Sequence, residues 1–418
     1  MNSNKRVRRL LVVAAAISAF GDGLSTEAAG FLIDATTSSA LQLSLGQFGA
    51  SVGKIAVGLL LGPKLTKQNA LGHARIGSIL AILPTLAWCV VGGNVPAMLG
   101  LQIARSSLGA VVNISLLTVL PRSGNGAETL RNFAVLQFAV GAVEGVGGFV
   151  SPFLTQHFGA WVFVADAISF GCFYLRVAFV RPRDIADDGT SSKKTKTLKP
   201  ALEFSDALRY VVSHRKLFSV VIAFAAIYVC WAVNSAVGYP ILREWGLPRE
   251  YRSYFKLAAT LGGLFATWRM LCPTGEDAPS CGLPSPLALG STIALLGAVT
   301  IMTGFVQSGI LGILLQFPQG FVSDAASVMV KAFIAHECGP QMVGPVNGLA
   351  YALNMTVLSF GRLLAGAIAE AYSTRAALVI GGMSTLGCCG SQPRWMPRRN
   401  HRVRCGGLRI FNAGSTRP

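Results

Sequence analysis

Eight ionisable side chains fall inside long apolar runs of this chain: Asp22, Glu27, Lys54, Arg105, Glu144, Asp166, Asp324 and Arg362. A charge in hydrocarbon costs several kcal/mol unless it is paired or hydrated, so each marks a position with a use. Asp22 and Glu144 lie near the middle of two such runs. A carboxylate in a low-dielectric cavity can load a proton and release it as the cavity opens, which makes both candidate proton-coupling groups. Glu27, about 140° around a 3.6-residue helix from Asp22, is a third candidate facing the outer end. Arg105 and Lys54 are the basic groups placed to pair with these acids. If they do, Asp22 and Glu144 are halves of structural ion pairs instead. Asp324 and Lys331, seven residues apart on one helical face, read as a structural or gating pair at the inner end. Arg362, in Gly361-Arg-Leu-Leu-Ala-Gly366, is a candidate counter-charge; Arg176 lies near the end of its run and can snorkel.

Rival chemistries are poorly served. Gly49-Ala-Ser-Val-Gly53-Lys54 resembles a phosphate-binding loop, but it is one residue short and Ile55 follows in place of Ser or Thr. No His, Cys or Asp cluster has catalytic or metal-ligand spacing, so neither an enzyme nor a metal site is expected. The nine cysteines include no CxxC pair and read as small packing residues.

The elements that must hold these charges are membrane helices. Hydrophobic residues make up 52% of the 418 and charged residues only 13%, against about 25% in soluble chains. Mean hydropathy is +0.53. Candidate membrane spans, read as apolar runs near the length a bilayer needs, cover 10–33, 41–61, 74–92, 94–120, 132–155, 160–180, 217–239, 252–270, 285–305, 307–330, 345–369 and, shorter, 376–389. The expected fold class is all-α integral membrane, with about twelve transmembrane helices in two six-helix halves.

Net charge +18 would fit a nucleic-acid partner, but its distribution argues for a membrane. With the N-terminus inside, the predicted inner segments hold 27 of the 36 Lys and Arg, and the outer loops hold five. Four of those five are Arg243, Arg249, Arg252 and Lys256 in one loop. This positive-inside pattern predicts a multi-pass protein of the cell inner (plasma) membrane with both termini cytoplasmic. No basic face is interleaved with aromatics, so no nucleic acid is expected as partner.

The halves read as residues 1–180 and 217–390, joined by a cytoplasmic linker at 181–216. The linker carries nine basic and five acidic residues, and Leu202–Val212 has the pattern of a short amphipathic surface helix. Leu101-Gln102 recurs as Leu315-Gln316, Asn132 sits opposite Asn347, and Phe158–Leu175 overlays Tyr372–Cys389, all at offsets of 214 or 215. A six-plus-six parallel repeat with a cytoplasmic linker is a transporter architecture, with its substrate site at mid-depth between the halves.

Several segments resemble the major facilitator superfamily, and within it the drug and siderophore exporters. Ser18-Ala-Phe-Gly21-Asp22-Gly23 is similar to a Gly-Asp of that branch, and Arg105-Ser-Ser-Leu-Gly109 to its Arg-x-x-x-Gly motif. Gly141-Ala-Val-Glu144-Gly145-Val-Gly147-Gly148-Phe-Val-Ser151-Pro152 is similar to the exporters' glycine-proline helix-bend motif, in altered order. The loop after the second span, Gly62–Arg75, lacks the acid usual in the family's gating motif. The resemblance implies a monomeric, proton-gradient-driven exporter of a small amphipathic molecule, without a cofactor. The alternative is an inactive, truncated or degraded relative. The last apolar run, at 14 residues, is short, and residues 391–418 carry seven Arg and no acid. That shift is read as lost coding frame near codon 390, leaving a basic tail that selection has not shaped.

Overall fold

The computed structural model describes residues 3–65, 69–91, 94–119, 126–180, 204–271, 286–338 and 342–390. Among them there is no strand, and twelve helices of 17 to 35 residues form the bundle. In chain order the first six are α1 (Ser3–Thr37), α2 (Ala40–Leu60), α3 (Ala70–Val91), α4 (Val95–Val119), α5 (Gly126–Phe158) and α6 (Val162–Ala178). A short α7 (Phe204–Ser213) precedes α8 (Arg215–Glu244), α9 (Arg252–Leu271) and α10 (Pro286–Phe305). The chain ends in a one-turn α11 (Gly309–Leu314), then α12 (Gln316–Glu337), α13 (Val343–Ala371) and α14 (Thr374–Gly390).

Eight stretches are long and apolar enough to cross a membrane, one of them spanning α5 and α6 together. Lipid offers no partner for a polar group, so helices must satisfy their own. Hydroxyls inside the bundle do this by bonding back to the preceding turn, as in Ser25 Oγ to Gly21 O, Ser44 Oγ to Ala40 O and Ser359 Oγ to Met355 O.

Packing pairs recur between the two sets of six. In the first set α1 lies against α5 and α6, α2 against α4, and α3 against α4 and α6. In the second, α8 lies against α13 and α14, α9 against α12, and α10 against α12 and α14. Between the sets α2 packs on α13 and α5 on α9, the same relationship read in both directions. Gln102 of α4 and Gln316 of α12, one of the repeated positions, are both buried.

Several expected boundaries move. α1 and α5 run past the hydrocarbon length, starting at Ser3 and Gly126, because polar residues extend a helix already nucleated by its apolar part. The tenth span is broken at Leu315, where Gln316 Nε2 bonds back to Gly312 O across the interruption, and it continues to Glu337. The last helix has 17 residues, three more than its apolar run, since Thr374, Arg375 and Gly390 are helical, the first two lying beside Glu244. α7 matches the expected surface helix and buries Ala207 and Val211 against Val220, Val221 and Phe224 of α8. The linker at 181–203 and the tail at 391–418 lie outside the described residues.

Candidate functional site

The flanks of Asp22 explain its neighbourhood. A side chain at Gly21 would collide with Ser169 Oγ and Asp166 Oδ1 of α6, and one at Gly23 with the backbone carbonyl of Glu144 on α5. The two glycines therefore let α6 and α5 close on either side of the carboxylate. α4 then presents Arg105 between two acids. Its Nη2 donates to Asp22 Oδ1 at 2.8 Å and its Nε to Asp166 Oδ2 at 2.7 Å. Arg105 is 4% exposed and Asp166 0%, whereas the side chain of Asp22 is 46% exposed despite lying mid-helix. Of the two bases offered for Asp22 in the sequence, Arg105 is the one at ion-pair distance.

Glu144 pairs with neither expected base. Lys256 Nζ, on α9 of the other half, approaches Glu144 Oε1 at 3.5 Å. Lys256 lies in the expected 252–270 run, although its charge is counted with the outer loop before it. Glu144 also feels the first cluster, lying within electrostatic reach of Asp22 and of Lys54.

The expected Asp324–Lys331 pair is not direct. Gln137 of α5 stands between them, its Nε2 donating to Asp324 Oδ1 at 3.4 Å while its Oε1 accepts from Lys331 Nζ at 3.0 Å. Asp324 lies in mid-α12, not at an end, and within electrostatic reach of Glu144 and Lys256. Tyr228 of α8 and Tyr351 of α13 line the same region, Tyr351 facing both Tyr228 and Asp22.

Two cations depart from expectation. Lys54 has no carboxylate within ion-pair distance among the described residues, although Asp22 and Arg362 lie within its electrostatic reach. Arg362 bonds only neutral acceptors: Nε to Ser235 Oγ at 2.7 Å, and Nη1 to Ser51 Oγ at 3.3 Å and Gln47 O at 3.5 Å. The helical Gly49–Lys54 stretch of α2 rules out a phosphate-binding loop.

Glu27 belongs to a different set, which ties the two halves together toward the end of the bundle that carries Asp34. Arg252 Nε reaches Glu27 Oε2 at 3.3 Å, and Tyr239 donates to the Glu27 carbonyl at 3.2 Å. Asp34, fully buried, accepts from Arg243 and, at 2.7 Å, from Arg249. Glu370 accepts from Ser39 Oγ and the Ala40 amide at 3.3 and 3.1 Å. At the other end the halves meet through small residues, Gly58 and Gly62 against Gly348 and Ala352. Asp34 was missed because it closes an apolar run, where an acid reads as loop.

The α5 glycines are contact points. Gly147 faces the Phe20 carbonyl, Gly145 faces Thr260, Gly148 faces Lys256, and α5 stays one helix through Pro152. Gly141 is looser, its nearest neighbour being Asp324 at 4.0 Å.

No known family's sequence profile matches the chain, and no curated protein is similar to it in sequence. Solved structures do match over nearly the whole chain. The human organic anion transporter MFSD10 (TETRAN) covers 93% of this chain and 99% of its own, at TM-score 0.68 and 12% identity. The chain has the major facilitator fold. An auto inhibited POT family peptide transporter covers 95% and 98% at TM-score 0.66 and 12% identity. A bacterial homologue of the iron transporter ferroportin, in an outward-facing state with soaked iron, covers 91% and 98% at TM-score 0.59 and 12% identity. Several of the charged groups described above bridge the two halves: Lys256 to Glu144, Arg252 to Glu27, and Arg243 and Arg249 to Asp34.

Proposed function

We propose that the chain is a secondary active transporter that couples proton movement to efflux of a small amphipathic molecule by alternating access. One observation carries the reading: a single buried cation, Arg105, is shared by a buried acid and an open one. With both carboxylates ionised the group carries one negative charge. A proton on Asp22 makes it neutral while Arg105 keeps Asp166, so loading and unloading strand no charge. Glu144 lacks this property, since protonating it leaves Lys256 without its acid.

The packing supports the moving half of the proposal. The ion pairs between the halves gather from mid-depth to the Asp34 end, and the other end meets through Gly58, Gly62 and Gly348. Parting the contacts of one end while keeping those of the other is the exchange that alternating access requires. The similar solved structures are of transporters, which fits; the exporter direction rests on the resemblance in α1, α4 and α5.

The test is flux from proteoliposomes. Vesicles holding the purified protein are given a pH gradient, and a panel of dyes and antibiotics is followed with and without a protonophore. Uphill movement that collapses with the gradient is the expected result. Movement that ignores the gradient removes coupling, and flux equal to empty vesicles for every compound returns the inactive alternative.

A further inference from the structure

Charge balance at mid-depth leaves one cation over. Grouped within electrostatic or ion-pair reach of one another are five cations, Lys54, Arg105, Lys256, Lys331 and Arg362, and four carboxylates, Asp22, Glu144, Asp166 and Asp324. Glu27 lies within reach of Arg362 but is held by Arg252, so that pair adds nothing. Three of the cations are accounted for: Arg105 by two acids, Lys256 by Glu144, and Lys331 through Gln137 by Asp324. Lys54 and Arg362 are the remainder. They converge on the same stretch of α2, because Arg362 bonds Gln47 and Ser51, and Ser51 lies one turn from Lys54 on the same face. Two like charges within reach of each other in a membrane interior are retained only if something offsets them. Asp22 offsets one, through the surplus negative charge it shares with Asp166 and Arg105. Nothing among the described residues offsets the other.

We propose that the mid-depth site binds a monoanionic amphipathic substrate whose carboxylate or sulfonate sits between Arg362 and Lys54. Arg362 keeps Nη2 free of protein acceptors, its other nitrogens being fixed by Ser235, Ser51 and Gln47. A guanidinium held on one side and open on the other is preorganised for a carboxylate. The apolar body of such a ligand has an aromatic wall nearby. Tyr228 meets Phe224 edge-on at 5.3 Å and Trp231 at a tilt at 5.4 Å, and lies within reach of Tyr351. The two cations come from opposite halves, α2 and α13, so one bound anion touches both moving parts. This narrows the substrate class of the transport reading above and rests on it for everything after binding.

The test compares one apolar body with three head groups. Pyrenebutyrate, its N-methylamide, and the matching pyrenebutyl-trimethylammonium are titrated by fluorescence into the purified full-length chain in detergent. The carboxylate is expected to bind at least tenfold more tightly than either analogue. Arg362→Gln and Lys54→Gln should each lower carboxylate affinity tenfold or more and leave the amide unchanged, while Lys54→Arg retains binding. Equal affinity for the amide or the ammonium, no binding by any of the three, or a carboxylate affinity untouched by Arg362→Gln overturns the site. The head-group series uses the unaltered chain, so a variant that fails to fold does not blunt it. Binding without flux in proteoliposomes would sink the transport reading and leave the anion site; flux of neutral or cationic dyes with no anion preference would do the reverse.

Discussion

Asp22 and Asp166 hold the same guanidinium through different nitrogens, Nη2 and Nε, one acid 46% exposed and the other wholly buried. Their bond lengths to Arg105 differ by only a tenth of an ångström, 2.8 against 2.7 Å. Access distinguishes them: a proton can reach Asp22, while Asp166 is sealed between α1 and α6. The pair thus divides two jobs, with Asp166 anchoring Arg105 and Asp22 free to change charge.

Asp22→Asn and Asp166→Asn should therefore fail in opposite ways. Asp22→Asn leaves Arg105 and Asp166 as a neutral pair, so the melting temperature stays near that of the parent and gradient-driven flux stops. Asp166→Asn removes the buried anchor and should cost about 3–5 kcal/mol of stability. Thermal unfolding and proton-driven flux, measured together, check both. Full coupling in Asp22→Asn, or an unfolded Asp22→Asn beside a stable Asp166→Asn, reverses the assignment.

Glu144 and Lys256 form the looser link, 43% and 29% exposed at 3.5 Å. Water screens such a pair, so Glu144→Gln should destabilise by only about 0.5–1 kcal/mol. Adding Lys256→Gln should recover most of that, and the double-mutant cycle reads the coupling. A loss of several kcal/mol would mean that the pair is far drier than its exposure implies.

How much of this was readable from sequence depends on what each feature needs. The spans were legible because an apolar run of about 20 residues identifies itself without reference to any neighbour. The intramembrane charges were legible for the same reason, since a lone acid stands out in such a run. Their partners were not. Choosing Arg105 over Lys54 for Asp22 requires knowing that Gly21 and Gly23 bring α6 and α5 close, and pairing Glu144 with Lys256 requires the α5–α9 crossing. Gln137, a neutral residue, gave no signal at all, yet it joins Asp324 to Lys331. Asp34 was hidden by the opposite effect, since a charge just past the end of an apolar run reads as loop, and Arg252 and Lys256, at the start of theirs, were counted as loop charges.

The glycines of α5 divide by what lies opposite them. At Gly147 an added methyl would meet the Phe20 backbone carbonyl, which cannot step aside without moving α1. Gly147→Ala should cost about 1–3 kcal/mol by overpacking. Gly141→Ala, with its nearest neighbour at 4.0 Å, should be neutral or slightly stabilising through its better helix propensity. Melting temperatures of the two variants decide it, and a Gly141 variant that is the worse of the two would refute the packing account.

Orientation is a separate matter, set by the distribution of basic residues. Single cysteines at 36 and 190 in a cysteine-free background should label differently with an impermeant thiol reagent, position 36 from outside and position 190 only after lysis. External labelling at 190 inverts the topology.

The last prediction concerns the Asp34 end. Asp34 has no solvent contact and holds two cations, Arg243 of α8 and Arg249 of the following turn, while Arg243 also reaches the Ser38 carbonyl at 2.8 Å. All partners of Asp34 are in the other half, so its charge works only while this end is closed. Asp34→Asn leaves two guanidinium groups facing a neutral amide across the seam. Losing one charge-assisted bond of about 2 kcal/mol from the closed form alone shifts a two-state equilibrium by roughly thirtyfold toward the open one. Spin labels at Thr36 and Glu250 should then report a longer separation in Asp34→Asn than in the parent. Labels at Leu60 and Tyr351, toward the Gly58 end where the halves already touch, should keep the parent's separation, because a rocking pair of halves opens at one end while the other stays closed. Arg249→Gln alone, which leaves Arg243 in place, should give an intermediate distribution. Lengthening at both ends would mean that the halves come apart instead of rocking, and unchanged distances at both would show that the Asp34 contacts do not set the equilibrium.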